Sequence, residues 1–112
     1  MKRFLIILII LITCGCSSQS DNKLDIKKIM EENEYVIIDV RTREEYDEEH
    51  LVDAINIPYD EINEDIEISK DTIIFVYCRS GNRSNIAYNT LINLGYTVYD
   101  LGAITNIELP KE

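Results

Sequence analysis

The chain has 112 residues, too few for two domains, and its 46% apolar content is ordinary for one globular core. Its 21 acidic residues outweigh 11 basic ones, for a formal charge of −10. That balance argues against nucleic acid as a partner and against electrostatic adsorption to anionic lipid.

The N-terminus reads as a targeting segment. Lys2-Arg3 precede an apolar run from Phe4 to Ile12, too short for a mature helix across a bilayer core of about 30 Å. It fits the apolar region of a secretory signal. Thr13-Cys14-Gly15-Cys16-Ser17 follows and resembles the lipobox of bacterial lipoproteins, where a small residue precedes a cysteine that becomes lipidated and N-terminal. Gly15 is that small residue for Cys16. Cys14 has Leu11 three residues upstream but the larger Thr13 directly before it. Cys16 is therefore the expected lipidation site and Cys14 the alternative.

The resemblance implies a signal peptide over residues 1–16, with the lipidated cysteine at its end. Residues 17–23, polar and serine-containing, are the expected flexible tether, and 24–112 the domain. The expected location is extracytoplasmic, anchored in the cell envelope by more than one acyl chain, as stable anchoring requires. An uncleaved anchor or a plain secretory signal would also place the domain outside the cytoplasm. Cleavage at Cys16 removes Lys2 and Arg3 and leaves 9 basic against 21 acidic residues, a formal charge of −12. Cys78 is then the only thiol, so no disulfide can form within the chain.

The domain opens with helical spacing of Ile26, Ile29 and Met30, with Asp25 as cap and Leu24 stapled against Ile29. Tyr35 to Val40 is a nearly continuous apolar run, as expected for a central strand covered on both faces. Thr42-Arg43-Glu44-Glu45 is a capping box opening a short acidic helix to about Glu49, whose carboxylates read as a solvated face. Ala54 to Ile57 is a brief strand stopped by Pro58. Ile62 and Ile66 have the spacing of another short helix. Thr72 to Tyr77 is a third strand, and Asn85 to Leu94 a helix closed by Gly95. Thr97 to Tyr99 is the last strand, and an irregular tail follows. Strands alternating with helices predict an α/β fold, a small and mostly parallel sheet of four to five strands flanked by helices. Sites in such sheets form beyond the carboxyl ends of the strands.

Cys78 stands at one such end, followed by Arg79-Ser80-Gly81-Asn82-Arg83-Ser84. Successive amides curling around the sulfur would make an anion-binding nest that favours the thiolate. Arg79 and Arg83 add charge and paired donors for an oxyanion. Net negative charge repels an anionic substrate at long range. Screening over about 8 Å weakens that repulsion more than it weakens the nearby loop charges.

With these residues in place, the chain resembles a single-domain rhodanese over essentially the whole of residues 35–104. The matching pieces are Ile38-Asp39-Val40-Arg41, the stretch Glu44 to Pro58, the Cys78–Ser84 loop and Val98-Tyr99-Asp100-Leu101-Gly102. The resemblance implies a sulfurtransferase in which Cys78 takes sulfane sulfur from a small anionic donor such as thiosulfate. It holds that sulfur as a persulfide and passes it to cyanide, a thiol or a protein acceptor. A sulfur carrier that serves a protein partner without turnover is the alternative. No metal or organic cofactor is implied. Phosphatases of related fold place five residues between cysteine and arginine; here four separate Cys78 from Arg83, and Ser84 stands where that arginine would be needed. The shorter loop leaves less room for a phosphoryl group.

Two departures stand out. Asp53 occupies a turn where the family has glycine and φ > 0 is expected, and Gly102-Ala103 replaces paired glycines near the C-terminus. Asp39 and Arg41 are candidate supports for the loop; their structural alternatives are a turn cap and a surface position. His50, the sole histidine, is expected to be structural, since a loop that already holds a thiolate needs no general base. The seven tyrosines are expected in the core or half-buried.

Overall fold

A computed structural model describes residues 25–112. Cys14, Cys16, the 1–16 segment, the 17–23 tether and the Leu24 staple lie outside these residues. Strands β1 (Tyr35–Asp39), β2 (Ile55–Asn56), β3 (Ile73–Cys78) and β4 (Thr97–Ala103) form one sheet in the order β2-β1-β3-β4. Every pairing is parallel. Helix α1 (Ile26–Glu32) precedes β1, while α2 (Arg43–Glu48) lies between β1 and β2 and α3 (Asn82–Asn93) between β3 and β4. The α/β class and the small parallel sheet are as expected. No helix among the described residues is long and apolar enough to cross a membrane.

The pleat of β3 sorts its apolar run between two cores. Ile74, Val76 and Cys78 face Ala87 and Leu91 of α3, with Ile38, Val40, Tyr96 and Val98 beside them. Phe75 and Tyr77 face the other side, against Ile37, Leu51, Ala54, Ile104 and Ile107, with Ile29 and Met30 of α1 packed on them. A strand buried on both faces needs the unbroken apolar composition seen here. The alternation also places Cys78 on the α3 face, directly ahead of the turn that enters that helix.

Local signals explain most boundaries. Asp25 accepts from the Lys28 amide at 3.1 Å, and the Thr42–Glu45 capping box is complete. Asp53 has φ +72, as its turn demands. Gly95, at φ +99, closes α3 with its amide on Ile92 O at 3.0 Å and that of Tyr96 on Leu91 O at 3.1 Å.

Four expectations need correction. The Ile62–Ile66 spacing does not form a helix. A 3-10 turn at Tyr59–Glu61 follows Pro58 instead. The side chain of Asn63 then accepts from the Asp65 amide at 2.8 Å, a local bond that competes with helical pairing. Helix α3 begins at Asn82 rather than Asn85, so Arg83 and Ser84 belong to its first turn. Strand β4 runs on to Ala103 because a bulge absorbs one residue. Val76 pairs with Asp100, but Tyr77 pairs with Gly102. Gly102 has φ +83, and its amide bonds the Asp100 side chain at 2.9 Å. Finally, the tail is not wholly irregular: it returns to α2's exit, where His50 and Glu112 exchange backbone hydrogen bonds of 3.0 and 2.8 Å.

Candidate active site

The sulfur of Cys78 lies where β3 ends and α3 begins. Gly81 sits between them at φ +100, a left-handed conformation that favours glycine. A β-carbon there would meet only Gly102 Cα, at 4.0 Å, so the requirement is conformational rather than steric. This geometry turns the Gly81 amide onto Cys78 Sγ at 2.9 Å. The Gly81 carbonyl starts the helix, accepting from the Asn85 amide at 3.2 Å. Ser84, one turn into α3, puts its hydroxyl 3.2 Å from that carbonyl and within reach of the sulfur.

Cys78 is fully buried, and burial alone raises a thiol pKa. The hydroxyl and amide of Ser84 and the amides of Gly81 and Ser80 outweigh that effect, and the net shift is downward from the ordinary thiol value. The α3 N-terminus adds its dipole in the same sense. Cys78 is therefore held as a thiolate-favouring group in a nest of N–H donors, as the loop sequence predicts.

Both loop arginines lie against one carboxylate, that of Glu45. Arg83 donates from Nη1 to Glu45 Oε1 at 2.8 Å and from Nη2 to Glu45 Oε2 at 3.1 Å. Arg79 comes within 3.8 Å of the same carboxylate while its own side chain stays 74% exposed. Glu45 is thus no member of a solvated face; its side chain is 18% exposed. The hydrogen bond from Arg83 is the main cause that holds its carboxyl at about 2, below the usual 4.5, against the opposing effect of burial. Sequence reasoning found Glu45 as a helix cap and missed its second task. Nothing local announces a partner 38 positions away.

Asp39 and Arg41 form a separate buried network beneath the strand ends. Arg41 Nη2 lies 2.7 Å from Asp39 Oδ2, and the Arg41 amide bonds Asp39 Oδ1 at 2.9 Å. The turn-cap expectation for Asp39 holds, whereas Arg41 is buried, not a surface residue. Arg41 also donates to the Glu49 carbonyl. The Tyr77 hydroxyl donates to Asp39 Oδ2 at 2.9 Å; desolvation raises its pKa well above the ordinary value, so it stays a donor. These residues brace the strand that carries Cys78 and make no hydrogen bond to its loop. Asn82 and Ser80 are exposed on the loop surface. His50 stacks on Tyr46 at 3.9 Å with Nδ1 2.8 Å from the Tyr46 carbonyl, a structural role.

A cavity of about 190 Å³ beside the loop is lined by Arg41, Thr42, Tyr59, Asp60 and Arg83, among others. The larger one, about 500 Å³, lies between Asp25–Lys27, Asp100–Leu101 and the tail, and includes no loop residue. Of the two, only the smaller is lined by a loop residue, Arg83.

The rhodanese-like domain family matches residues 23–106. The chain belongs to that family. It is 41% identical to thiosulfate sulfurtransferase PspE of Escherichia coli over 78 residues, covering 66% of this chain and 75% of that protein. It is 31% identical over 80 residues to the adenylyltransferase and sulfurtransferase uba4 of Ogataea parapolymorpha. That match covers 70% of this chain but only 21% of the longer protein. Among solved structures, an E. coli rhodanese with anions superposes with a TM-score of 0.64 at 35% identity, over 70% of this chain and 96% of that one. The rhodanese fold and membership in a sulfurtransferase or sulfur-carrier family are thereby established over residues 23–106.

Proposed function

We propose that this protein is a sulfurtransferase that moves sulfane sulfur from a thiosulfate-like donor to a thiophilic acceptor through a persulfide on Cys78. One observation carries the reading: the buried Sγ receives the Gly81 amide at 2.9 Å inside a nest that lowers the thiol pKa. The resemblance to a named thiosulfate sulfurtransferase supports the donor class, and that to a rhodanese solved with anions supports an anionic one.

In the first step the Cys78 thiolate attacks the outer sulfur of the donor. A Cys78–S bond forms, the donor's S–S bond breaks, and its electron pair leaves with sulfite. The product is the persulfide anion, whose terminal charge the loop amides and Ser84 stabilise. In the second step cyanide or a thiolate attacks that terminal sulfur and the Cys78 thiolate departs. No proton need move in either step when the thiol starts ionised. Arg79, Ser80, Gly81, Asn82 and Ser84 are the proposed donor-binding residues, with Arg83 held beside them by Glu45 and with Asp39 and Arg41 supporting the strand ends.

The domain is proposed to work outside the cytoplasm, tethered by residues 17–23 to a lipidated Cys16. Support comes from the N-terminal pattern of Lys2-Arg3, the apolar run and Gly15-Cys16. Membrane fractionation and labelled palmitate incorporation by Cys14→Ala and Cys16→Ala variants test this; label lost only in Cys16→Ala is the expected result.

Thiocyanate formation from thiosulfate and cyanide is the deciding assay, with Cys78→Ala as control. Equal turnover by both proteins would sink the reading. The complete burial of Cys78 favours one other reading, a carrier whose shielded persulfide awaits a protein acceptor. A stable adduct of about 32 Da on Cys78, without turnover to cyanide, distinguishes it.

A further inference from the structure

A site that receives anions gathers cations, and the Glu45 carboxylate works against that. It is held firmly there. Oε1 accepts from Arg83 at 2.8 Å and from the Thr42 amide at 3.1 Å. Oε2 lies 3.1 Å from Arg83 and 3.8 Å from Arg79. Its position at the third residue of α2's first turn fixes its direction through the capping box.

The formal charges around the sulfur then cancel. Arg79 and Arg83 are positive; Glu45 and the Cys78 thiolate are negative. Arg83 places one N–H of each terminal nitrogen on the carboxylate, so its charge is already paired while three N–H donors remain. Arg79, 74% exposed and at 3.8 Å, is the guanidinium able to turn to a donor. Beyond it only loop amides and Ser84 attract an anion. A second negative charge on the donor meets the thiolate and Glu45, and the other cation lining the cavity, Arg41, is already paired with Asp39 at 2.7 Å.

We propose that Glu45 makes the site selective for donor charge, favouring monoanionic sulfane donors, such as thiosulfonates and organic persulfides, over the dianion thiosulfate. The proposal rests on the sulfurtransferase reading above. The chemistry is the same for both donor types. With a thiosulfonate, the Cys78 thiolate bonds the terminal sulfur and the S–S bond breaks. Its electron pair leaves on the sulfinate, and one negative charge remains on the persulfide. In this scheme Glu45 and Arg83 are positioning residues, and Arg79 is the residue that meets the donor.

The test compares kcat/KM for thiosulfate and methanethiosulfonate, with cyanide fixed, in the full chain. The two donors differ in leaving group, so the readout is the thiosulfate-to-methanethiosulfonate ratio across variants. Glu45→Gln should raise that ratio about fivefold, the scale of one unit charge acting across a partly screened site. Arg79→Gln should lower it about threefold, less because the side chain is more exposed to salt. A purely structural Glu45 would scale both donors equally, and an unchanged ratio in Glu45→Gln overturns the proposal. Should Glu45→Gln fail to fold, Arg79→Gln carries the test, since it alters an exposed side chain; an unchanged ratio there overturns the proposal too. Absence of turnover and of persulfide with either donor in the unmodified protein instead removes the sulfurtransferase reading, and this proposal with it.

Discussion

The Tyr77 hydroxyl and the Asp39 carboxylate meet at 2.9 Å in the fully buried end of the sheet, one residue ahead of the cysteine. The same hydroxyl accepts from the Leu51 amide at 3.0 Å. Asp39 Oδ2 in turn takes Arg41 Nη2 at 2.7 Å. One phenol therefore joins β3, β1 and the turn after α2, and fixes the position from which the Cys78 loop departs.

Removing that oxygen tests its weight. Tyr77→Phe keeps the ring in the core but leaves the Leu51 amide buried without its partner. The expected cost is about 1–3 kcal/mol, read as a lower urea midpoint with an unchanged slope. Sulfur transfer at low temperature should fall little, because no atom of Tyr77 bonds the loop. A large loss of kcat in a fully folded Tyr77→Phe would contradict the bracing role.

The Asp39–Arg41 pair should be less forgiving. Both residues are buried, so Asp39→Ala leaves a guanidinium in the interior with only the Glu49 carbonyl and its surroundings to satisfy it. Breaking a buried pair by removing one partner costs about 3–5 kcal/mol. That is a large share of the stability of a domain this size. The expected outcome is a protein recovered largely unfolded, seen by circular dichroism.

Much of this fold was legible because its signals are local. The apolar run from Ile73 to Val76, the Thr42–Glu45 box and Gly95 each state a boundary in adjacent residues. The cysteine nest was legible for the same reason, being built from Cys78, Ser80, Gly81 and Ser84 within one turn of each other. What escaped was set by distance or competition. Glu45 finds Arg83 only once α2 and α3 are folded against the same end of the sheet. The Leu101 bulge depends on register against β3, and the tail bridge between Leu51 and Lys111 on chain return. Ile62 and Ile66 had helical spacing, but Pro58 and Asn63 offered closer partners for the backbone.

Glu45 also gives a pH signature to stability. Its folded pKa, about 2 against a usual 4.5, is depressed. Its contribution is therefore present above pH 4.5 and is lost as pH falls from there toward 2. The full shift corresponds to roughly 3 kcal/mol; solvent screening of a partly exposed pair reduces the expected effect to about 1–2 kcal/mol. Urea titrations of the native protein and Glu45→Gln should differ by that amount at pH 7 and converge as the pH falls to about 2. A gap independent of pH would assign the loss to packing instead of charge.

Gly81→Ala probes the turn that builds the nest. Space is available, so the penalty comes from holding alanine at φ +100, about 1–2 kcal/mol. If the backbone relaxes to avoid it, the Gly81 amide leaves the sulfur and the thiol pKa rises. Two measurements separate the outcomes: thermal unfolding reports the strain, and thiolate absorbance against pH reports the nest. A variant less stable yet unchanged in its thiolate titration keeps the amide in place. One unchanged in both would show that the left-handed turn carries no cost here.

Ser84→Ala isolates the chemistry with little effect on the fold. The Ser84 hydroxyl opposes the desolvation that would keep Cys78 protonated, and its bonds are foremost among the causes lowering the thiol pKa. The Cys78 pKa is depressed, so the reactive thiolate accumulates as pH rises through a value below that of an ordinary thiol. Without the hydroxyl, that rise must move to higher pH. The rate of persulfide formation, followed by stopped-flow from pH 5 to 10 (a range on the order of the usual thiol and thiolate limits), should show the shift as a loss of rate at neutral pH. The rate should recover in alkali, because the attacking sulfur is the same. A uniform loss at every pH would instead place Ser84 on the donor, and an unaltered profile would leave the ionisation of Cys78 to the amides of Ser80 and Gly81.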